Sequence, residues 1–384
     1  MRDASASVGP AMRLLILPAF ASLAALMLLL APERAASQGT ARLRVAAWVP
    51  YWNRAEGTVS ARQHLDALDE LSPFGFEVQA DGTLVDKTAR RPGRWNPLLR
   101  AARRRGVKVI PSLIWLRADE QRAVLGDPAL RAAHLARVVE VARRPGVDGV
   151  DIDDEGRDGP DRAMFATFLS ELRAALAPLG KTLVCTVEGR EGESPPPGAN
   201  AGQRMAYSVD FQALGRECDA VRLMAYGQWY LQHGERSFTN AGTAEGREPH
   251  APNSSDGFAE RVVRYALRHV PAERLLLGVP THGRVFRVGG EPGAWTYESR
   301  GAIHEARFLE LAARPTARVD RPAGERRLRI GSGPSRRLAY LADATTLRGR
   351  IALARRLGIA GVALFKIDGR EAAGLWEVLT EARR

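Results

Sequence analysis

The chain has 384 residues, 45% of them hydrophobic and 26% charged, which is enough apolar material for a large core and excludes a disordered or fibrous protein. Its net charge is +12, but only four of its 56 basic residues are lysine (Lys87, Lys108, Lys181, Lys366) and the arginines are scattered, so no nucleic-acid partner is expected. The two cysteines, Cys185 and Cys218, exclude a disulfide-rich scaffold and a Cys-based zinc site; they are either one bridge or two buried thiols.

At the N-terminus, Arg2 and Arg13 precede an apolar run from Leu14 to Leu30, followed by Ala35, Ala36 and Ser37. This is the pattern of an export signal over residues 1–37, cleaved before Gln38. The run also approaches the roughly 20 residues of a spanning helix, so an uncleaved membrane anchor is the alternative. No cysteine follows it to take a lipid. Either reading predicts a secreted, periplasmic or cell-surface protein that meets a membrane only through this segment.

From residue 41 to 384, short apolar runs alternate with longer stretches of helical period, the pattern of repeated βα units around a parallel sheet. The predicted strands are Arg44–Pro50, Leu71–Val78, Val107–Leu113, Val147–Asp153, Thr182–Glu188, Ala220–Tyr226, Arg274–Pro280 and Gly361–Ile367. Between them lie predicted helices such as Trp95–Arg105, Pro128–Arg144, Asp161–Leu179, Gly257–His269 and Ala344–Leu357, with apolar residues at three- and four-residue steps. Eight such units predict a closed (β/α)8 barrel of the α/β class. The seventh connection is too long for one helix. Its strand-like pieces (Arg284–Val288, Ala294–Tyr297, Arg326–Ile330, Arg337–Leu341) predict a small α/β insertion over about 284–342, and the Pro- and Gly-rich Ser194–Gln203 predicts a surface loop.

The fourth predicted strand carries the most chemistry: Asp148-Gly149-Val150-Asp151-Ile152-Asp153-Asp154-Glu155. A period of two puts Asp151, Asp153 and Glu155 on one face and Val150, Ile152 and Asp154 on the other. In a barrel the aliphatic pair must pack outward against helices. The three carboxylates therefore climb the interior toward the C-terminal rim, where barrel active sites lie. Clustered like charges raise the affinity of each carboxylate for its proton, which suits the rim residue, Glu155, to donate to a leaving group. On the sixth strand, Arg222 shares the inward face with Met224 and Tyr226 and is expected to pair with Asp151 or a neighbouring carboxylate low in the barrel.

The acidic segment resembles the D-G-x-D-x-D-x-E signature of the family-18 glycoside hydrolases, the chitinase-like barrels. Cys218–Tyr226 resembles that family's sixth-strand M-x-Y-D segment, Leu277–Arg284 its seventh-strand G-x-P-x-Y-G-R segment, and Trp48–Trp52 with Ser72–Phe74 the first two strands of its bacterial spore-cortex and cell-wall lytic branch. The resemblance implies a retaining hydrolase of N-acetylhexosamine-containing glycans, either chitin-like or cell-wall polymers, that needs no metal or cofactor; a monomer is expected. It implies that Glu155 protonates the glycosidic oxygen, that Asp153 orients the substrate's 2-acetamido group with Asp151 behind it, and that Tyr226 hydrogen-bonds the same group. The acetamido oxygen, not a second carboxylate, is then the nucleophile.

The sequence departs from the family pattern at several positions. Gly227 stands in place of an Asp, Phe365 in place of a Trp that floors the scissile sugar, Asp154 in place of an aromatic and His282 in place of a Tyr, and the third strand reads Ser112-Leu113-Ile114-Trp115. Further substrate-binding candidates near the rim are Tyr51, Trp52, Trp115, Trp229, Tyr230, Gln228, Met224, Glu188 and Phe365; the aromatics among them offer faces on which pyranose rings stack. The rival expectation is a catalytically silent carbohydrate-binding barrel of the same family. Retention of Glu155 argues against it.

Overall fold

The computed structural model describes residues 42–89, 92–333 and 336–384; the signal or anchor expected over 1–37 lies outside them. Eight strands form the barrel: β1 Arg44–Pro50, β2 Glu70–Val78, β3 Ser112–Trp115, β4 Gly149–Asp154, β5 Thr182–Glu188, β6 Ala220–Met224, β7 Leu275–Pro280 and β8 Gly361–Phe365. All run parallel, and β1 closes the cylinder by pairing with both β8 (Arg44 beside Gly361) and β2 (Ala46 beside Glu70).

Alternation along each strand sorts its residues between two cores. Val150, Ile152, Leu183, Val187, Val221 and Leu223 point outward into the layer beneath the helices. Ala46, Trp48, Ile114, Val184, Leu276 and Ala363 fill the barrel interior. The helix Arg162–Leu176 shows why this layer forms: Phe165, Phe168, Leu169, Leu172 and Leu176 recur at helical spacing and are buried against the strands. Its neighbours carry local start and stop signals. Asp127 accepts hydrogen bonds from Ala129 and Leu130 at the head of Pro128–Ala142. Asp343 caps Ala344–Leu357, which ends on Gly358 in the left-handed region at φ 68°.

Several boundaries differ from expectation, most by one to three residues. The run Val107–Leu113 splits into a two-residue strand, Lys108–Val109, and β3, because Pro111 has no N–H to continue the ladder. β6 and β8 stop at Met224 and Phe365, so Tyr226 and Ile367 lie past the sheet. Part of Ser194–Gln203 is helical, since Asn200 and Gln203 exchange capping hydrogen bonds at the start of Ala201–Arg204.

After β7 the chain builds a second, six-stranded antiparallel sheet. Its strands are Gly283–Glu291, Ala294–Ile303, Ala317–Asp320, Arg326–Ile330 and Arg337–Leu341, with one helix, Glu305–Ala312. The sixth, Ser237–Asn240, comes from the connection between β6 and β7 and pairs with Ala294–Ile303; the long seventh connection gave no sign of it. Trp229, Phe286, Trp295 and Tyr297 form part of the core on one face of this sheet.

Cys185 on β5 and Cys218 at the foot of β6 are joined by a disulfide across 33 residues, both fully buried. Closing a loop of that length restricts the unfolded chain, so replacing both cysteines with alanine is expected to lower stability by about 3–4 kcal/mol. Denaturant unfolding with and without reductant measures it; equal midpoints would mean that the bridge contributes nothing.

Candidate active site

Asp151, Asp153 and Glu155 rise through the barrel in successive layers, as the period of two requires. Asp151 is fully buried and saturated. Its carboxylate accepts hydrogen bonds from Trp48 Nε1 (2.8 Å), Ser112 Oγ (2.6 Å), Thr186 Oγ1 (2.7 Å) and Arg222 Nη1 (3.1 Å). Arg222 points inward and is wholly buried. It also donates to Glu70 Oε2 (2.9 Å) and Ser72 Oγ (2.7 Å), and its guanidinium lies 4.9 Å from the centre of the Trp48 ring. This is the low-lying pair expected from strand parity, with Glu70 added as a second carboxylate partner.

One layer up, Asp153 is 2% exposed and its Oδ1 has no partner. Burial, then the charges of Glu155, Asp151, Glu188 and Asp154, push its proton affinity well above the usual carboxylate range. Glu155 follows β4 and opens into the cleft. Burial and the charge of Glu188 push its carboxyl up to about 8, against the opposing pull of Arg157. Its backbone is fixed on both sides: its N–H donates to Trp115 O and its carbonyl accepts from Gln121 Nε2, both at 2.8 Å.

Tyr226 stacks on Phe365, with ring centroids 5.7 Å apart and planes 14° from parallel, and meets His282 edge-on at 6.4 Å. Burial foremost, then the charges of Asp153 and Glu155, keeps its hydroxyl protonated to well above the ordinary phenol range. His282 is held neutral, pushed down to about 3 by burial and by Lys366. Phe365 is the centre of an aromatic floor, edge-on to Trp48 at 5.8 Å and to Phe74 at 5.6 Å. A cleft of about 480 Å³ rises from this floor between Tyr51, Trp52, Phe74, Ile114 and Glu155. Trp52, 46% exposed, is its open aromatic wall; Tyr51 beside it donates to Glu77 Oε1 (2.5 Å). Glu188 ends β5 on the inward face and reaches the rim beside Glu155, while Met224 stands on β6 one layer above Arg222.

Two aromatic candidates are packed into hydrophobic cores, although Trp115 also lines part of the cleft. Trp115 alternates with the inward Ile114, is 1% exposed and packs its ring near His134, 5.2 Å away in the helical layer. Trp229 is buried between Phe286 and Tyr230, with the Arg284 guanidinium 4.7 Å above it. Gln228 is also occupied structurally, its Oε1 accepting from Ser255 N (2.9 Å). Aromatic or amide character near a strand end does not reveal which way a side chain turns. Tyr230 is half-buried on the edge of the Trp229 cluster.

Gly227 adopts φ 69°, and a side chain there would meet nothing within 4 Å. Room for a Cβ exists, but the left-handed backbone favours glycine over aspartate. Sequence reasoning missed Arg157 and Gln121, which stand behind Glu155. Their only signal was arithmetic: Asp153, Asp154, Glu155 and Glu188 converge in one buried place and require a cation nearby.

Comparison with known proteins agrees with this geometry. The model of the glycosyl hydrolases family 18 matches residues 47–368. The chain is 23% identical over 337 residues to a cortical fragment-lytic enzyme of Bacillus cereus, covering 85% of this chain and 71% of that protein. Its fold is similar to a chitinase from Chromobacterium violaceum (TM-score 0.71, 19% identity, 88% of this chain and 98% of that one). It is also similar to the Bacillus cereus spore cortex-lytic enzyme SleL (TM-score 0.71, 19% identity, 88% and 74%). With the acidic column in place inside a closed eight-stranded barrel and the family model spanning almost all of it, the chain belongs to family 18 of the glycosyl hydrolases and is a glycoside hydrolase.

Proposed function

We propose that the protein is a retaining hydrolase of N-acetylhexosamine-containing glycans, peptidoglycan or chitin-like, working by substrate-assisted catalysis. The observation that carries this reading is the graded column beneath the cleft: Asp151 paired with Arg222, Asp153 buried above it with its proton affinity raised by burial and neighbouring charge, and Glu155, pushed up to about 8, lining the cleft at the rim. Glu155 donates that proton to the glycosidic oxygen as the bond to the anomeric carbon breaks. Asp153 and the Tyr226 hydroxyl hold the acetamido group so that its carbonyl oxygen attacks the same carbon, forming an oxazolinium ring. Glu155, now a carboxylate, removes a proton from the water that opens the ring. Two inversions at one carbon give net retention, with no metal or cofactor in the cycle.

The floor at Phe365 and the wall at Trp52 supply apolar faces for sugar rings. The names of the relatives, cortical fragment-lytic enzyme and chitinase, support a cell-wall or chitin-like polymer as substrate. The buried disulfide suits an oxidising compartment and so supports export, by either the signal or the anchor reading of residues 1–37. The test is to incubate residues 38–384 with N-acetylglucosamine oligomers and with purified peptidoglycan, and to follow products by mass spectrometry and the new anomeric signal by proton NMR. The β-anomer appearing first from a β-linked substrate is expected; the α-anomer first would refute retention. A second reading, binding without turnover, is favoured by the smaller floor at Phe365 and the empty space at Gly227; saturable binding without any product would establish it.

A further inference from the structure

Behind Glu155 lies a buried group that the proposed reaction does not use. Arg157 is 1% exposed, its guanidinium 3.7 Å from the centre of the Phe165 ring. Its Nη1 donates to Gln121 Oε1 (2.8 Å), and Gln121 Nε2 donates to the carbonyl oxygens of both Glu155 and Trp115 (2.8 Å each). Nε and Nη2 of Arg157 are buried and have no partner. Across from it, Glu188 is 4% exposed: Oε1 accepts weakly from Gly156 N, the peptide after Glu155, at 3.4 Å, and Oε2 has no partner. Asp154, 3% exposed, likewise has an unpartnered Oδ2.

These groups sit on three different elements that meet at the rim. Asp153, Asp154 and Glu155 come from β4 and its end, Glu188 from β5, and Arg157 from the loop that follows β4; Tyr226, after β6, also faces the column. Low in the barrel, Arg222 already answers Asp151 and Glu70. In this upper layer, among the described residues, Asp154, Glu155 and Glu188 face Arg157, as does Asp161, which is itself paired with Arg122. A buried guanidinium with two unused nitrogens beside buried carboxylates with unused oxygens favours whichever of them is ionised. A fixed ring contact and a Gln121 clip to the Glu155 main chain keep that cation from following the charge.

We propose that Arg157 is a positioning residue for Glu155, clamping its backbone through Gln121 while Arg157 and Glu188 together set the balance of charge in which Glu155 changes from acid to base. The inference rests on the proposed role of Glu155. Its physical content is that the two neighbours act with opposite sign. Removing Glu188 removes a negative charge and makes Glu155 easier to ionise; removing Arg157 removes a positive one and makes it harder. Loss of mere packing has no such sign.

The experiment is a carboxyl carbon-13 NMR titration of the protein labelled at glutamate, with the Glu155 signal assigned by its disappearance in Glu155→Gln. The Glu155 midpoint is expected to fall by about one pH unit in Glu188→Gln and to rise by about one in Arg157→Gln. Arg157→Lys, which keeps the charge, is expected to stay near the unsubstituted protein. Midpoints that do not move, or that move the same way in both variants, overturn the proposal. If Arg157→Gln does not fold, Glu188→Gln decides alone: a lowered midpoint supports the proposal and an unchanged one ends it. The readout needs no turnover. Shifted midpoints in a protein that cleaves no glycan would refute the functional reading and leave only the charge coupling of Arg157 and Glu188 to Glu155; cleavage with unmoved midpoints would overturn the coupling and leave the functional reading.

Discussion

Glu155→Gln is expected to lower the rate of glycan cleavage about a thousandfold or more while leaving thermal stability nearly unchanged. The rate falls because glutamine has no proton to deliver to the leaving oxygen, a contribution of roughly 10²–10⁴ for a positioned acid. Stability is preserved because burial already keeps Glu155 neutral up to about 8, so the amide copies the form present in the folded protein. The same value fixes the alkaline limb of the unsubstituted enzyme. The acid must be protonated to act, so kcat/KM should hold as pH rises toward about 8 and decline beyond it. Initial rates on a fluorogenic N-acetylglucosamine oligomer across pH 5 to 10, with melting curves for both proteins, check all three points. A variant as fast as the parent would remove Glu155 from the mechanism.

Arg222→Met should produce the largest loss of stability of any single substitution near the barrel core, about 3–5 kcal/mol. Methionine matches the apolar length of the arginine stem and can still lie against Trp48. What it cannot do is answer two buried carboxylates, Glu70 at 2.9 Å and Asp151 at 3.1 Å, both less than 5% exposed. Removing Arg222 leaves Asp151 without a cationic partner and Glu70 with Arg44 alone, at 3.7 Å, which is the expensive case. Urea unfolding measures the loss. Adding Asp151→Asn to the methionine variant should recover part of it, because one stranded charge disappears. Strictly additive effects would show that the two residues do not interact.

The eight strands were readable because each is a short apolar run bounded by turns, and the closed barrel follows from their number and alternation. The acidic column was readable for a more local reason. The direction of Asp151, Asp153 and Glu155 depends only on the period of two and on Val150 and Ile152 needing an apolar layer, so no knowledge of neighbouring strands was required. Arg222 facing Asp151 followed from the same parity applied to β6. The edge strand Ser237–Asn240 was not readable, because a four-residue segment with alternating exposed positions becomes a strand only when a partner offers it a ladder.

The rim separates what the sequence by itself determined from what the tertiary structure decided. Residue identities placed the acidic column of Asp151, Asp153 and Glu155, since its geometry is internal to one strand. Where Trp52, Trp115 and Trp229 stand relative to the cleft was decided by packing: Trp52 is left open at its wall, Trp115 lines it while buried in the helical layer, and Trp229 is taken up by the core of the second sheet. Arg157, Gln121 and Glu188 belong to the same category. They are separated by at least 31 residues along the chain, apart from the short step from Arg157 to Glu155, and they act on one carboxyl only because barrel closure brings a loop, a helix and a strand end into a single buried volume where charge is no longer screened by water.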